Sequence, residues 1–287
     1  MIFLFISIFC SVSVGVLLKF ARRYTVSIPQ IITLNYSVAL LLSYWVFSPQ
    51  KSHFETVDNW IFYLMLGFLL PSIFLFMARS ISYSGIVKTD IAQRLSLFIP
   101  ILVSYFIFGE RFSGLKLIGL VIGFTAIFFT LFRKNETDEE KKNWFYPILV
   151  LFGFGIIDVL FKQIAVNKTV PFTSALFIVF GLSLTVSALI SAYFLLTGKI
   201  KLEFKNIPWG VLLGLLNFGN IYFYLKSHSV VAENPSTVFA TMNFGVIALG
   251  SCVGIILFKE QLTKINYIGI SLALVAVVFI TLSQIYV

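Results

Sequence analysis

Apolar runs of about twenty residues, separated by short polar stretches, recur along the whole 287-residue chain, and about twenty residues is the length a helix needs to cross a bilayer's hydrocarbon core. The runs predict ten spans, near 2–20, 28–47, 60–79, 90–108, 113–132, 145–163, 170–196, 207–226, 235–258 and 264–285. They are too long and too uninterrupted for barrel strands. Only helices or closed barrels satisfy backbone polar groups in lipid, so the fold class is an all-α polytopic membrane protein. Helix edges carry local signals: Asn234-Pro235 reads as an N-cap with proline at the first helical position, and Asp90 with Gln93 reads as a cap opening the fourth span.

The pattern repeats. Phe108-Gly109-Glu110-Arg111 with Ile118-Gly119 returns 150 positions later as Phe258-Lys259-Glu260-Gln261 with Ile268-Gly269. The stretch from Phe76 to Ser82 returns 147 positions later, from Phe223 to Ser229, and Val16-Leu17-Leu18-Lys19 returns 143 positions later as Val159-Leu160-Phe161-Lys162. Two copies follow, residues 1–134 and 145–287, joined by the charged linker 135–144. Each copy holds five spans, an odd number, so the ten transmembrane helices are expected as two inverted five-helix repeats. That is an architecture of secondary transporters, with the solute site near the midplane.

Composition agrees with the membrane reading. The chain is 59% hydrophobic and 11% charged, with a mean hydropathy of +0.98. Its net charge of +9 does not point to nucleic acid, because the lysines and arginines sit in short connections beside spans, Lys116 counted among them. Connections after odd-numbered spans carry thirteen of them and connections after even-numbered spans five, which places the odd connections in the cytoplasm. Cys10 and Cys252 lie inside apolar runs and read as small core residues, not a disulfide. Small-residue pairs four apart, Gly119 and Gly123 or Gly210 and Gly214, allow close helix approach in lipid.

Ionisable groups inside spans are costly and mark pathways by default. Asp158 and Lys162 are four apart on the sixth span, as are Asp90 and Arg94 on the fourth. Set against the pathway reading, Lys19, Lys162 and Asp90 lie near span ends, where they can snorkel or cap. Asn217, Asn220 and Tyr224 share a face of the eighth span, Thr241 and Asn243 lie in the ninth, and Asn35, Tyr36 and Gln93 add polar groups in spans two and four. The substrate-binding candidates are Arg94, Asp158, Lys162, Asn217, Asn220, Tyr224 and Asn243. Two histidines without ligand spacing give no metal site, and no phosphate loop, nucleophile elbow or cofactor motif occurs. The partners expected are a small-molecule substrate, the lipid bilayer and a coupling proton, with no nucleic acid and no cofactor. A non-transporting protein that handles lipids or assists envelope assembly would instead need a polar cluster at one membrane face, and a channel a ring of charges.

Pro100, then Phe108-Gly109-Glu110-Arg111, then Gly119 ahead of an apolar run resembles the fourth-to-fifth helix hairpin of the drug/metabolite transporter superfamily, in particular the EamA family. Phe258-Lys259-Glu260-Gln261 with Gly269 resembles the same hairpin in the second copy, where Gly250 replaces the hairpin proline. The resemblance implies ten helices in two five-helix units, a central cavity, and movement of small metabolites, often amino acids, across the bacterial inner membrane. It also implies that Glu110 and Glu260, present across family members with different substrates, are scaffold residues.

Overall fold

The computed structural model describes residues 2–21, 26–50, 57, 59–84, 86–131, 144–259 and 263–283. The expected linker 135–144, apart from Trp144, and Glu260 lie outside the described residues. Eleven α-helices occur among them, in the order α1 (Ile2–Ala21), α2 (Ile28–Phe47), α3 (Trp60–Ser84), α4 (Ile86–Leu95), α5 (Phe98–Phe106), α6 (Gly114–Leu131), α7 (Phe145–Ala165), α8 (Phe172–Leu196), α9 (Ile207–Val230), α10 (Pro235–Phe258) and α11 (Lys264–Leu282). No strand occurs among the described residues. Among the described residues seven helices are long and apolar enough to span a membrane, with shorter apolar segments at Ile91–Phe106 and Gly114–Thr130. α9 is long enough at 24 residues but falls outside the apolar set, because Asn217, Asn220, Lys226 and His228 interrupt it.

The fourth span is one pass in two pieces. α4 begins at Ile86, so Asp90 lies inside a helix and does not cap one. α4 ends at Leu95 and α5 starts at Phe98 after a turn at Ser96 and Leu97. Pro100 explains the interruption: it has no N–H to return to the Ser96 carbonyl four residues back. That carbonyl instead accepts from Ile99 N–H at 3.1 Å, and Leu97 N–H donates to Arg94 O at 3.3 Å.

Contacts group the chain into two compact units, Met1–Phe9 with Phe76–Val159 and Val230–Val287, and Cys10–Leu75 with Leu160–Ser229. Each takes helices from both of the copies expected from the sequence. Within the first unit α6 packs extensively on α11, and within the second α2 packs on α8. The helices of each pair hold the same place in the two expected copies, and both pairs are antiparallel. A Cβ at Gly119 would meet Ile280 Cγ1 at 2.7 Å, and a Cβ at Gly269 would meet the backbone nitrogen of Thr130 at 2.6 Å. Gly269 stands 150 residues after Gly119 and Ile280 stands 150 after Thr130, so the two contacts are one contact made twice. A reciprocal contact of this kind is the mark of local two-fold symmetry. In the second unit the Thr33 hydroxyl lies 2.8 Å from the Ser191 hydroxyl and 3.1 Å from Ser187 O. At the other end of the same helix pair, the Tyr44 and Phe177 rings meet at 6.2 Å.

Candidate functional site

In the second unit α9 buries a stripe made of Leu213, Asn217, Ile221, Tyr224, Leu225 and His228. This is the spacing of one helix face, but half the positions are polar. Gly210 and Gly214 bring α9 against α2: a Cβ at Gly214 would stand 2.6 Å from Val38 Cβ and 2.9 Å from Asn35 O. At this approach Asn217 Nδ2 donates to Asn35 Oδ1 at 3.2 Å. One turn before the helix end, the Tyr224 ring meets the His228 ring edge-on at 4.8 Å and the Phe161 ring at 6.3 Å. The Lys162 ammonium lies within electrostatic range of the His228 imidazole. Lys162 is 3% exposed, so it does not snorkel to the surface.

Asn35 Nδ2, the Tyr36 hydroxyl and the Ser183 hydroxyl are buried in this unit with no hydrogen-bond partner among the described residues. An unsatisfied buried donor costs about 1–3 kcal/mol, a cost that a solute's carbonyl, carboxylate or hydroxyl oxygen would remove. Asn35 and Tyr36 drew notice in the sequence only as polar residues in span two, and His228 only as a histidine lacking ligand spacing. Their burial was the missing signal, and burial depends on which face of a helix its neighbours cover.

The other candidates occupy different surroundings. Asn220 is half-buried. In the first unit Arg94 is the penultimate residue of α4, next to the break, where a cation suits the negative end of the helix dipole. Asp158 is half-buried on α7. Asn243 Nδ2 donates to Phe239 O of its own helix at 3.0 Å, which commits one amide hydrogen to the backbone.

Glu110 has a structural environment. Its Oε1 accepts from Lys116 Nζ at 2.6 Å and from the Ser236 hydroxyl at 2.6 Å. Its Oε2 accepts from the Ser236 backbone N–H at 2.9 Å, so the carboxylate caps the N-terminus of α10. Lys116, counted above as a loop cation, is a buried residue of the first turn of α6 and also donates to Asn234 Oδ1 at 2.9 Å. Pro235 occupies the first helical turn as expected, but Asn234 makes no side-chain cap, because its oxygen is engaged by the lysine. Of the two cysteines, both free, Cys252 is exposed and not a core residue.

A model of the EamA-like transporter family matches residues 1–132, which fall within the first expected repeat. An uncharacterized protein of Haemophilus influenzae is 41% identical over 282 residues, spanning 96% of this chain and 95% of that protein. The chain belongs to the EamA-like transporter family. It is accordingly a multi-pass integral membrane protein of a family that transports small molecules, not a family of enzymes. A crystal structure of another protein superposes with a TM-score of 0.75 over 98% of this chain and 96% of that one, at 13% identity, a likeness of fold alone. Glu110 thus stands, in this EamA-family chain, at a hairpin whose residues carry the family resemblance, and it fastens helices together.

Proposed function

We propose that the protein is a secondary-active exporter of small organic metabolites such as amino acids in a bacterial inner membrane. It works by alternating access at a cavity between two inverted repeats. The observation that carries this reading is the doubled contact of Gly119 with Ile280 and of Gly269 with Thr130. Two equivalent helices that pack antiparallel, each crossing the membrane, belong to copies of opposite orientation, and inverted repeats are the framework on which many secondary transporters rock. The interrupted pass at α4 and α5 beside Arg94 supports it, since broken helices at membrane depth are tolerated where they line a cavity. The α9 stripe supports it too: Asn217 sits near the middle of a 24-residue helix, not at one membrane face as a lipid-handling or assembly protein would require. Arg94, Asp158, Lys162, Asn217, Asn220, Tyr224 and Asn243 remain the proposed solute contacts, joined by Asn35 and Tyr36, with a proton as the proposed coupling ion.

The test is counterflow in proteoliposomes across a panel of labelled amino acids and other organic solutes, with and without a proton gradient. Exchange of at least one solute that is lost in Arg94→Ala and Asp158→Ala, with both variants still inserted in the membrane, supports the reading. No exchange of any organic solute by the wild-type protein overturns it.

A further inference from the structure

We propose that the connection between α8 and α9 is a preorganised binding site for the headgroup of an anionic phospholipid. The segment runs from Leu196 at the end of α8 through residues 197–206 to the start of α9 at Ile207. It presents three lysines, Lys199, Lys201 and Lys205, against one acid, Glu203. Among them stand large apolar side chains with little of the protein over them: Leu196 is 89% exposed, Leu202 70% and Phe204 88%. Basic groups interleaved with bare apolar ones, at the end of a spanning helix, fit the boundary between acyl chains and phosphates. Neither water alone nor hydrocarbon alone satisfies both sets.

The segment is held in shape, which sets it apart from a basic loop that merely drifts near the surface. Gly198, at φ +68°, reverses the chain after α8, and Lys199 N–H donates to Phe194 O at 2.9 Å, the bond that closes a helix of this type. The Lys199 ammonium stands 5.6 Å from the Tyr193 ring centroid and 5.7 Å from that of Phe194. Downstream, Gln30 of α2 clamps the segment: its Nε2 donates to Glu203 O at 3.1 Å. Its Oε1 accepts from Asn206 Nδ2 at 2.7 Å and from Glu203 N–H at 3.3 Å. Asn206 is itself fully buried and accepts from Ser27 N–H at 3.3 Å. The Lys205 and Glu203 side chains form an exposed pair at 2.7 Å, which leaves Lys199 and Lys201 to carry the net positive charge. A lipid is favoured over a soluble anion because a soluble anion leaves Leu202 and Phe204 uncovered. The site is independent of which solute the protein carries.

The test is native mass spectrometry of the delipidated full-length protein titrated with dioleoyl phosphatidylglycerol, with dioleoyl phosphatidylcholine of the same chains, and with glycerol 3-phosphate. The expected result is retention of phosphatidylglycerol over phosphatidylcholine, weakened about thirtyfold in K199Q/K201Q and also weakened in F204S, with little retention of glycerol 3-phosphate. Circular dichroism and monodispersity of each variant show that it is folded, and Gln30→Ala, which loosens the clamp without removing charge, is expected to weaken retention as well. Equal retention of the two lipids, or phosphatidylglycerol retention unchanged in K199Q/K201Q, overturns the proposal. Retention of glycerol 3-phosphate as strong as that of the lipid would show a soluble-anion site and overturn it too.

Discussion

Glu110 and Lys116 are two charges shut away from water, each 5% exposed or less, and such a pair is sensitive to the loss of one partner. Removing one charge from a buried ion pair typically costs about 3–5 kcal/mol, whereas replacing both by groups of similar volume is often close to neutral. Glu110→Gln is therefore expected to lower stability by about 3 kcal/mol, and the double change Glu110→Gln with Lys116→Met to recover most of it. Denaturant titration of the purified protein in micelles reads both, and strictly additive losses in the double variant would sink the account. Asn217 presents the opposite case. Its bond to Asn35 crosses two helices, an interaction worth on the order of 1 kcal/mol in a membrane. Asn217→Leu should thus leave the protein folded, with stability lower by about 1 kcal/mol, and suppress counterflow far more than that loss explains. Full transport in this variant would remove Asn217 from the solute path. The candidate residues were legible as polar groups in apolar runs. Which were occupied was not, because Asn243's bond to its own backbone depends on its rotamer and the burial of His228 on which face α9 turns to its neighbours.

At the scale of helices, close approach and interruption matter more than side-chain chemistry. Gly214 faces Val38 and the Asn35 carbonyl with no room for a side chain, so Gly214→Leu must push α9 off α2. Overpacking of this sort costs about 1–3 kcal/mol and would also stretch the Asn217–Asn35 bond. Reduced thermal stability together with lost counterflow is expected, and a variant of wild-type stability would contradict the packing. Pro100 acts through the hydrogen bond it cannot make. In Pro100→Ala the N–H is restored, α4 and α5 can join into one continuous helix, and exchange should slow severalfold with stability unchanged or improved. Unaltered exchange kinetics would show that the break is not used. The glycine pairs were readable from their spacing, and the break from its proline. The start of α4 was not, since Asp90 with Gln93 imitates a cap that the preceding turn of helix overrides.

For the whole molecule the central prediction is that equivalent connections lie on opposite sides of the membrane. Ser48, just after α2, and Lys201, in the connection after α8, follow spans that correspond in the two expected copies. Single cysteines at Ser48 and at Lys201, placed in a background lacking Cys10 and Cys252, are expected to react with an impermeant maleimide from opposite faces of intact cells and inverted vesicles. Labelling of both from the same face would exclude an inverted repeat of five spans.

Read alone, the sequence already showed that the chain crosses the membrane as helices, where most of them begin and end, and that the family is one of transporters, and its self-similarity led to the expectation of two copies. These follow from local quantities: hydrophobic length, proline and glycine positions, and self-similarity survive without knowledge of any contact. It took the folded molecule to show that α6 packs antiparallel on α11 and α2 on α8, that Lys116 and Glu110 are joined across the hairpin to α10, and that Asn217, Tyr224 and His228 form one buried stripe. Those facts depend on which face each helix turns to its neighbour. In lipid, where apolar faces are interchangeable, that choice is made by small residues and polar pairs far apart in the chain, as between Gly214 and Val38 or Asn217 and Asn35.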